Sequence, residues 1–284
     1  METKTREDIR KAVQESYGKV ARTGGIGSGT TLLRSCCGLT QISLKPRESN
    51  CCGPQGVSVE RLSQTLGYTK EDLDSVPDGA NMGLGCGNPV AIASLKPGET
   101  VVDLGSGGGF DCFLAARAVG PNGRVIGVDM TPDMVQKARE NARNSGVANV
   151  EFRLGEIEHL PVADNTADVI MSNCVINLSP DKLSVYREAF RVLKPGGRLA
   201  ISDILATTPL PDEISNDLDL VCACLGGATT IGDTEQMLRQ SGFQDINIKT
   251  HTLSPEIFRE WGAGNVEKAV ELLVSVYVEA TKPY

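Results

Sequence analysis

The spacing of hydrophobic positions changes several times along this chain, and each change marks a new element. From Thr3 to Ala21 the apolar positions Ile9, Val13, Tyr17 and Val20 recur at helical spacing, which predicts an amphipathic first helix. The stretch 23–31, Thr-Gly-Gly-Ile-Gly-Ser-Gly-Thr-Thr, combines glycine freedom with polar side chains and reads as a loop, with irregular structure expected to about residue 56. Residues 57–67 suggest a short helix, and Pro77 to Pro89 carries enough glycine for another loop.

Beyond it the pattern alternates. A short apolar run, Thr100 to Leu104, precedes glycines and a helical stretch from Phe110 to Val119, and Arg124 to Asp129 reads as the next strand. A helix over Pro132–Asn144, strands over Val150–Leu154 and Ala167–Ser172, a helix over Pro180–Leu193, a Pro195-Gly196-Gly197 turn and a strand over Arg198–Ile204 continue the series. Repeated strand-helix alternation predicts an α/β fold with a central, mostly parallel sheet covered by helices on both faces. Downstream the spacing predicts helices near Asp212–Leu225 and Thr234–Ser241, a strand over Ile246–Thr252 and a final helix across Val266–Thr281. Three regions are therefore expected: 1–85, an N-terminal helix and cysteine-bearing arm; 86–206, a nucleotide-binding core; and 207–284, a C-terminal helical extension covering the substrate.

Composition narrows the function. With 284 residues, 40% hydrophobic and 23% charged, the chain can bury a core without external staples. Its formal charge of −8 and the lack of a basic stripe argue against a nucleic-acid partner. No apolar run approaches a membrane span, and the charged start, Met1 to Arg22, lacks the features of a secretory leader, so a cytoplasmic, reducing setting is expected. There, nine cysteines at 36, 37, 51, 52, 86, 112, 174, 222 and 224 are unlike a disulfide framework, and their odd number cannot pair completely.

Two groups of residues carry candidate chemistry. In Asp103-Leu-Gly-Ser-Gly-Gly-Gly-Phe-Asp111 the glycines follow a strand and open a helix, and Asp129 ends the next strand, where a carboxylate can accept from ribose hydroxyls. This combination suits dinucleotide enzymes and methyltransferases alike. The second group is the cysteines. Cys174, in Ser172-Asn-Cys-Val-Ile-Asn177, follows the fourth strand, at the carboxyl edge where open α/β sheets bind ligands. Cys86 lies in Gly83-Leu-Gly-Cys-Gly-Asn88, a loop ill suited to a merely packing thiol, and Cys224 in Cys222-Ala-Cys-Leu-Gly-Gly-Ala228 lies where the chain would cover the crevice, with glycines that suit close approach to a ligand. Cys112 and Cys222 read as packing residues. The pairs Cys36-Cys37 and Cys51-Cys52 stand open between a redox role and a metal-binding or scavenging arm, adjacent pairs matching ordinary zinc spacing poorly.

The run Asp103-Leu-Gly-Ser-Gly-Gly-Gly109, the segment Gly155-Glu-Ile-Glu158 after the third strand and Leu193-Lys-Pro-Gly-Gly-Arg198 together resemble class I S-adenosylmethionine (SAM) methyltransferases, over roughly residues 97–206. That resemblance implies a Rossmann-like fold with Asp103, Gly105, Gly107 and Gly109 around the amino-acid part of SAM, Asp129 on its ribose, Met130, Glu156 and Ile157 around adenine, and Ser106 and Asn173 also in the cofactor site. Joined to the three cysteine motifs, residues 80–230 resemble the arsenite SAM methyltransferases. The resemblance implies that Cys174 and Cys224 hold trivalent arsenic and that Cys86 and an N-terminal cysteine (36, 37, 51 or 52) capture it, form a disulfide and supply electrons. Thioredoxin or glutathione would then reset the thiols. The implied substrates are arsenite and methylated arsenicals, with the oligomeric state open and a monomer included. Two other readings use the same residues: a small-molecule C- or O-methyltransferase whose cysteines are incidental, and a non-catalytic thiol-based metalloid-binding protein.

Overall fold

The computed structural model describes residues 5–24, 58–251 and 269–284. Cys36, Cys37, Cys51 and Cys52, and the loop expected around them, lie outside the described residues.

The elements run in the order α1 (Arg6–Thr23), α2 (Val59–Thr65), α3 (Lys70–Asp74), α4 (Pro89–Ala93), β1 (Thr100–Leu104), α5 (Phe110–Val119), β2 (Arg124–Asp129), α6 (Pro132–Ser145), β3 (Val150–Leu154), β4 (Ala167–Asn173), a 3-10 turn (Ile176–Leu178), α7 (Lys182–Val192), β5 (Leu193–Ala206), α8 (Asp212–Ser215), α9 (Leu218–Cys222), α10 (Ile231–Gln240), β6 (Gln244–His251) and β7 (Leu273–Thr281). Among the described residues the strands form one seven-stranded sheet in the order β3-β2-β1-β4-β5-β7-β6. β1 to β5 pair in parallel, and β7 runs antiparallel between β5 and β6. The chain reverses its direction of winding between β1 and β4, and this switch point opens a crevice at the carboxyl ends of both strands.

The central strands are buried on both faces: Val101, Val102, Val125, Ile126, Val169 and Ile170 are fully enclosed. Continuous β-branched runs are what a sheet sandwiched by helices requires. One apolar cluster joins the sheet to α7, α10 and the β6–β7 pair, another joins it to α4, α5 and α6. A third cluster has a different composition. It gathers Val13 of α1, Leu62 and Tyr68, and Ile214, Leu220 and Leu225, around Cys86, Cys174 and Cys224.

The α/β core follows the expected pattern, and three segments depart from it. Leu273–Thr281, expected as the end of a helix, is strand β7. Its residues alternate from Val276 on, with Val276, Val278 and Ala280 buried and Tyr277, Glu279 and Thr281 between them less so, a period of two. The helix expected over Asp212–Leu225 is two short ones, α8 and α9, separated at Asn216-Asp217, where the Asp217 carboxylate accepts from Asp219 N and Leu220 N and starts α9 afresh. The Pro195-Gly196-Gly197 turn is an excursion inside β5: the pairing with β4 jumps from Ala167–Leu193 to Val169–Arg198, and the displaced Gly196 and Gly197 exchange hydrogen bonds with Lys282. Two short helices were also not expected: α3, opened by a Thr69–Asp72 capping box, and α4, which follows the glycine-rich stretch around Cys86. No helix among the described residues is long and apolar enough to cross a membrane.

Candidate active site

The turn after β1 places Gly105 and Gly107 at φ of 67° and 51°, a region that L side chains seldom enter. A Cβ on Gly105 would also lie 2.4 Å from a methyl of Val175, so the turn can pass beneath the end of β4 only as glycine. Asp129 fastens the same turn from the end of β2, accepting from Gly107 N at 3.0 Å and Thr131 N at 2.8 Å. Ser106 is buried, and its hydroxyl has no hydrogen-bond partner among the described residues.

Two buried carboxylates, Asp103 and Asp111, and the half-buried Asp129 surround this turn. Burial pushes Asp103 well above the usual carboxylate range, with the neighbouring Asp111 and Asp129 adding to the shift, and it pushes Asp111 up to about 6. Asp129 is raised by burial too, against the opposing hydrogen bonds of Thr131 and Gly107. Cys112, expected only to pack, donates its S–H to Asp103 Oδ2 at 3.2 Å.

Asn173, the last residue of β4, connects the turn to the first thiol. Its Oδ1 accepts from Cys86 N at 3.0 Å, and its Nδ2 lies 3.0 Å from Gly87 O, Tyr68 Oη and Asp111 Oδ2 alike. Tyr68 closes the network by donating to Asp111 Oδ1 at 2.6 Å. The loop around Cys86 is thereby held against the carboxyl edge of the sheet, its thiol wholly buried and 3.8 Å from Ser202 Oγ.

Cys174 follows at φ 58°, and its N–H donates to Ser202 O at 2.8 Å. Cys224, at φ 62°, arrives from the α9 segment and donates its S–H to Cys174 O at 2.7 Å. The sulfurs of Cys86 and Cys174 and a carboxylate oxygen of Asp203 all lie within 4.8 Å of one another. Cys86, Cys174 and Cys224 are thus brought together in one buried group, and burial raises the Cys86 and Cys174 thiols above the ordinary range. Cys222, two residues from Cys224, is half-buried and packs against the apolar cluster around the three thiols.

Polar residues that sequence reasoning passed over support the group from beneath. Burial pushes Asp203 up to about 7, and its carboxylate accepts from Ile176 N, Ile204 N and the Asn177 side chain. Asn177 also donates to Ile204 O at 2.6 Å and Cys224 O at 3.1 Å, tying the turn after Cys174 to the loop carrying Cys224. The glycines after Cys224 serve this contact: a Cβ on Gly227 would lie 2.0 Å from Asn177 O, and one on Gly226 2.9 Å from Ile214 O. Their close neighbours are the protein's own backbone, where the sequence suggested a ligand. The motif Asn173-Cys-Val-Ile-Asn177 held the signal, with an amide on either side of the cysteine.

The residues expected around adenine lie under α1. Arg10 reaches Glu156 at 3.3 Å and Glu158 at 3.4 Å, and Gln14 donates to Met130 O at 3.2 Å. Ile157 is buried in the core.

Residues 95–242 match the family model of a methyltransferase domain. Sheet order, glycine turn and acidic second strand are those of the class I methyltransferases. The chain is 47% identical over 277 residues to an arsenite methyltransferase of Halobacterium salinarum, covering 98% of this chain and 67% of the relative. It is 49% identical over 248 residues to an arsenite methyltransferase of Aquipseudomonas alcaligenes, covering 84% and 63%. Among solved structures it resembles an arsenic(III) S-adenosylmethionine methyltransferase from Chlamydomonas reinhardtii, with a TM-score of 0.59 and 32% identity over 78% of this chain and 73% of that one. The chain belongs to the arsenite methyltransferase family, and it spans about two thirds of the length of the two relatives named above.

Proposed function

We propose that this protein transfers methyl groups from SAM to trivalent arsenic held by cysteine thiolates, giving methylated arsenicals. The observation that carries the reading is the buried group of Cys86, Cys174 and Cys224 at the carboxyl edge of a methyltransferase sheet, beside the glycine turn.

The residues around the turn suit SAM. Its methionine end carries an ammonium and a sulfonium, and Asp103 and Asp111 offer buried carboxylates whose charge the protein leaves poorly compensated. The unpartnered Ser106 hydroxyl is available to the same ligand, and Asp129, at the end of β2, to its ribose hydroxyls. When bound, SAM supplies an electrophilic methyl group on sulfur.

Trivalent arsenic bound to thiolates is pyramidal and keeps a lone pair, so the acceptor needs no protein base, only placement. Cys174 and Cys224 serve as its permanent ligands. Cys86 acts in capture together with one of Cys36, Cys37, Cys51 or Cys52; disulfide formation between those two thiols returns the oxidised methylated arsenic to the trivalent state, and thioredoxin or glutathione reduces the disulfide. Region 86–206 then binds SAM, while 1–85 and 207–284 bring the remaining thiols over it.

The test is mass spectrometry of arsenicals formed from arsenite, SAM and a thiol reductant. Methylated arsenic is expected, and its absence would remove the reading. Cys174→Ser and Cys224→Ser should each abolish methylation of both arsenite and monomethylated arsenite; a variant that still turns over the methylated substrate would disprove its permanent-ligand role. Cys86→Ser should impair the first methylation most.

A further inference from the structure

Helix α1 bears three polar side chains, Arg10, Gln14 and Tyr17, four and three residues apart on one face. Arg10 and Gln14 end at the expected adenine side, on Glu156, Glu158 and Met130 O. Tyr17 ends among the thiols. Its hydroxyl donates to Cys222 O at 3.3 Å and lies 3.6 Å from Cys224 Sγ. Burial, reinforced by Cys224, drives the phenol well above its ordinary range.

Two contacts of the Cys224 sulfur bear on its role, with the Cys174 carbonyl and with the Tyr17 hydroxyl. The S–H now points at Cys174 O, 2.7 Å away. When Cys224 binds arsenite, an S–As bond forms and an As–O bond breaks, and the thiol proton departs with the hydroxide as water. No oxidation occurs in that exchange. The sulfur then has no proton to donate and faces the Cys174 carbonyl lone pair to lone pair, a poor contact in a buried site. The Tyr17 hydroxyl is a donor within reach.

We propose that Tyr17 is a positioning residue for Cys224, its O–H turning from the Cys222 carbonyl to the Cys224 sulfur when that sulfur becomes an arsenic ligand. The turn stabilises the ligand form, in which one sulfur pair is shared with the arsenic and another accepts the Tyr17 O–H. This rests on Cys224 being an arsenic ligand, and the experiment separates the two ideas.

The full chain carrying Tyr17→Phe loses one oxygen and keeps the ring in place. A hydrogen bond to a charged or strongly polarised sulfur makes the expected loss about ten- to a hundredfold in arsenite affinity, read as a raised KM for arsenite with the KM for SAM unchanged. A general loosening of α1 would move both constants, because Gln14 and Arg10 sit on the same helix. Binding of phenylarsine oxide, a probe that needs only two thiols, to wild type, Y17F, C224S and the double variant completes a cycle. Tyr17→Phe should weaken binding in the wild-type background and add nothing to Cys224→Ser. If C224S binds both arsenicals as wild type does, the ligand assignment fails and this proposal with it. If C224S is impaired while Y17F binds normally, or if Y17F costs the same in both backgrounds, the ligand assignment stands and the role of Tyr17 is overturned.

Discussion

Asn173→Ala should both loosen the protein and release Cys86. In the native structure the amide accepts from Cys86 N and lies within donating distance of Gly87 O, Tyr68 Oη and Asp111 Oδ2, all at 3.0 Å. Truncation leaves the Cys86 N–H without its acceptor in a loop whose side chain is fully enclosed, at a cost of about 1–3 kcal/mol. Asp111 loses one of its two side-chain donors, but a carboxyl already raised to about 6 takes up a proton instead of remaining charged and unpaired, which limits that loss to about 1–2 kcal/mol. Together these give about 2–5 kcal/mol. For 284 residues the unfolding entropy is about 0.6 kcal/mol/K, so the melting midpoint should fall by roughly 3–8 °C.

The second consequence is local. Peptide mapping after a brief exposure to iodoacetamide should show Cys86 alkylated at least tenfold faster in the variant, with Cys112 labelling unchanged, because Cys112 is held separately by Asp103. Gly85→Ala approaches the same contact from the loop: its Cβ would lie 2.8 Å from both Asn173 Nδ2 and Oδ1, at a φ of 111°. It should reproduce the labelling change without removing the amide. A melting midpoint within 1 °C of wild type, together with unchanged Cys86 labelling in both variants, would refute the idea that Asn173 holds this loop.

The stability of the ligand-free protein should decline as the pH rises from about 4 to 7. Burial raises the folded-state pKa of Asp111 above its unfolded value, so the folded chain holds the proton more tightly; that advantage is complete below pH 4 and is lost as the pH passes about 6, a contribution on the order of 3 kcal/mol. Urea midpoints across that range check it; Asp111→Asn should flatten the slope, and a wild-type profile that rises with pH would contradict the assignment. Gly105→Ala should abolish SAM binding in a titration while the β6–β7 end of the sheet keeps its hydrogen-exchange protection, because the added Cβ meets Val175 at the turn itself. Normal SAM affinity in G105A would show that the turn is not where the cofactor lies.

Much of the α/β core was legible because its physics is local. Strands such as Val101-Val-Asp-Leu104 and Arg124-Val-Ile-Gly-Val-Asp129 are short apolar runs, and α6 and α7 carry apolar stripes at helical spacing, so periodicity alone separates them. Strand β7 was not legible, because Val266, Val270, Leu273 and Tyr277 also recur at helical spacing, although Ser275, Glu279 and Thr281 alternate with Val274, Val276, Val278 and Ala280. The site was half legible. The glycine turn and the cysteine positions stand out by composition, whereas Asp203, Asn177, Tyr68 and Asp111 are common residue types whose importance comes from contacts between distant segments. Tyr68 and Asp111, for example, are brought together from either side of the nucleotide turn.

Backbone strain explains why the cysteines had to be seen in place. Cys174 and Cys224 both adopt φ near +60°, where a non-glycine residue costs about 1–2 kcal/mol. Nothing in either side chain favours that conformation, so surrounding contacts must hold it. They are identifiable: Cys174 N is fixed to Ser202 O, the turn that follows is pinned by Asp203 to Ile176 N, and Asn177 joins that turn to Cys224 O. Each strained residue is thus held by the same polar lattice, and the S–H of one cysteine meets the carbonyl of the other. A pair intended only to fill space would gain from relaxing into the ordinary region and packing as small apolar groups. Maintaining two strained backbones beside a methyltransferase turn makes sense if the separation and direction of the two sulfurs matter. A pyramidal acceptor imposes that requirement, since its free lone pair points only where its ligands do not.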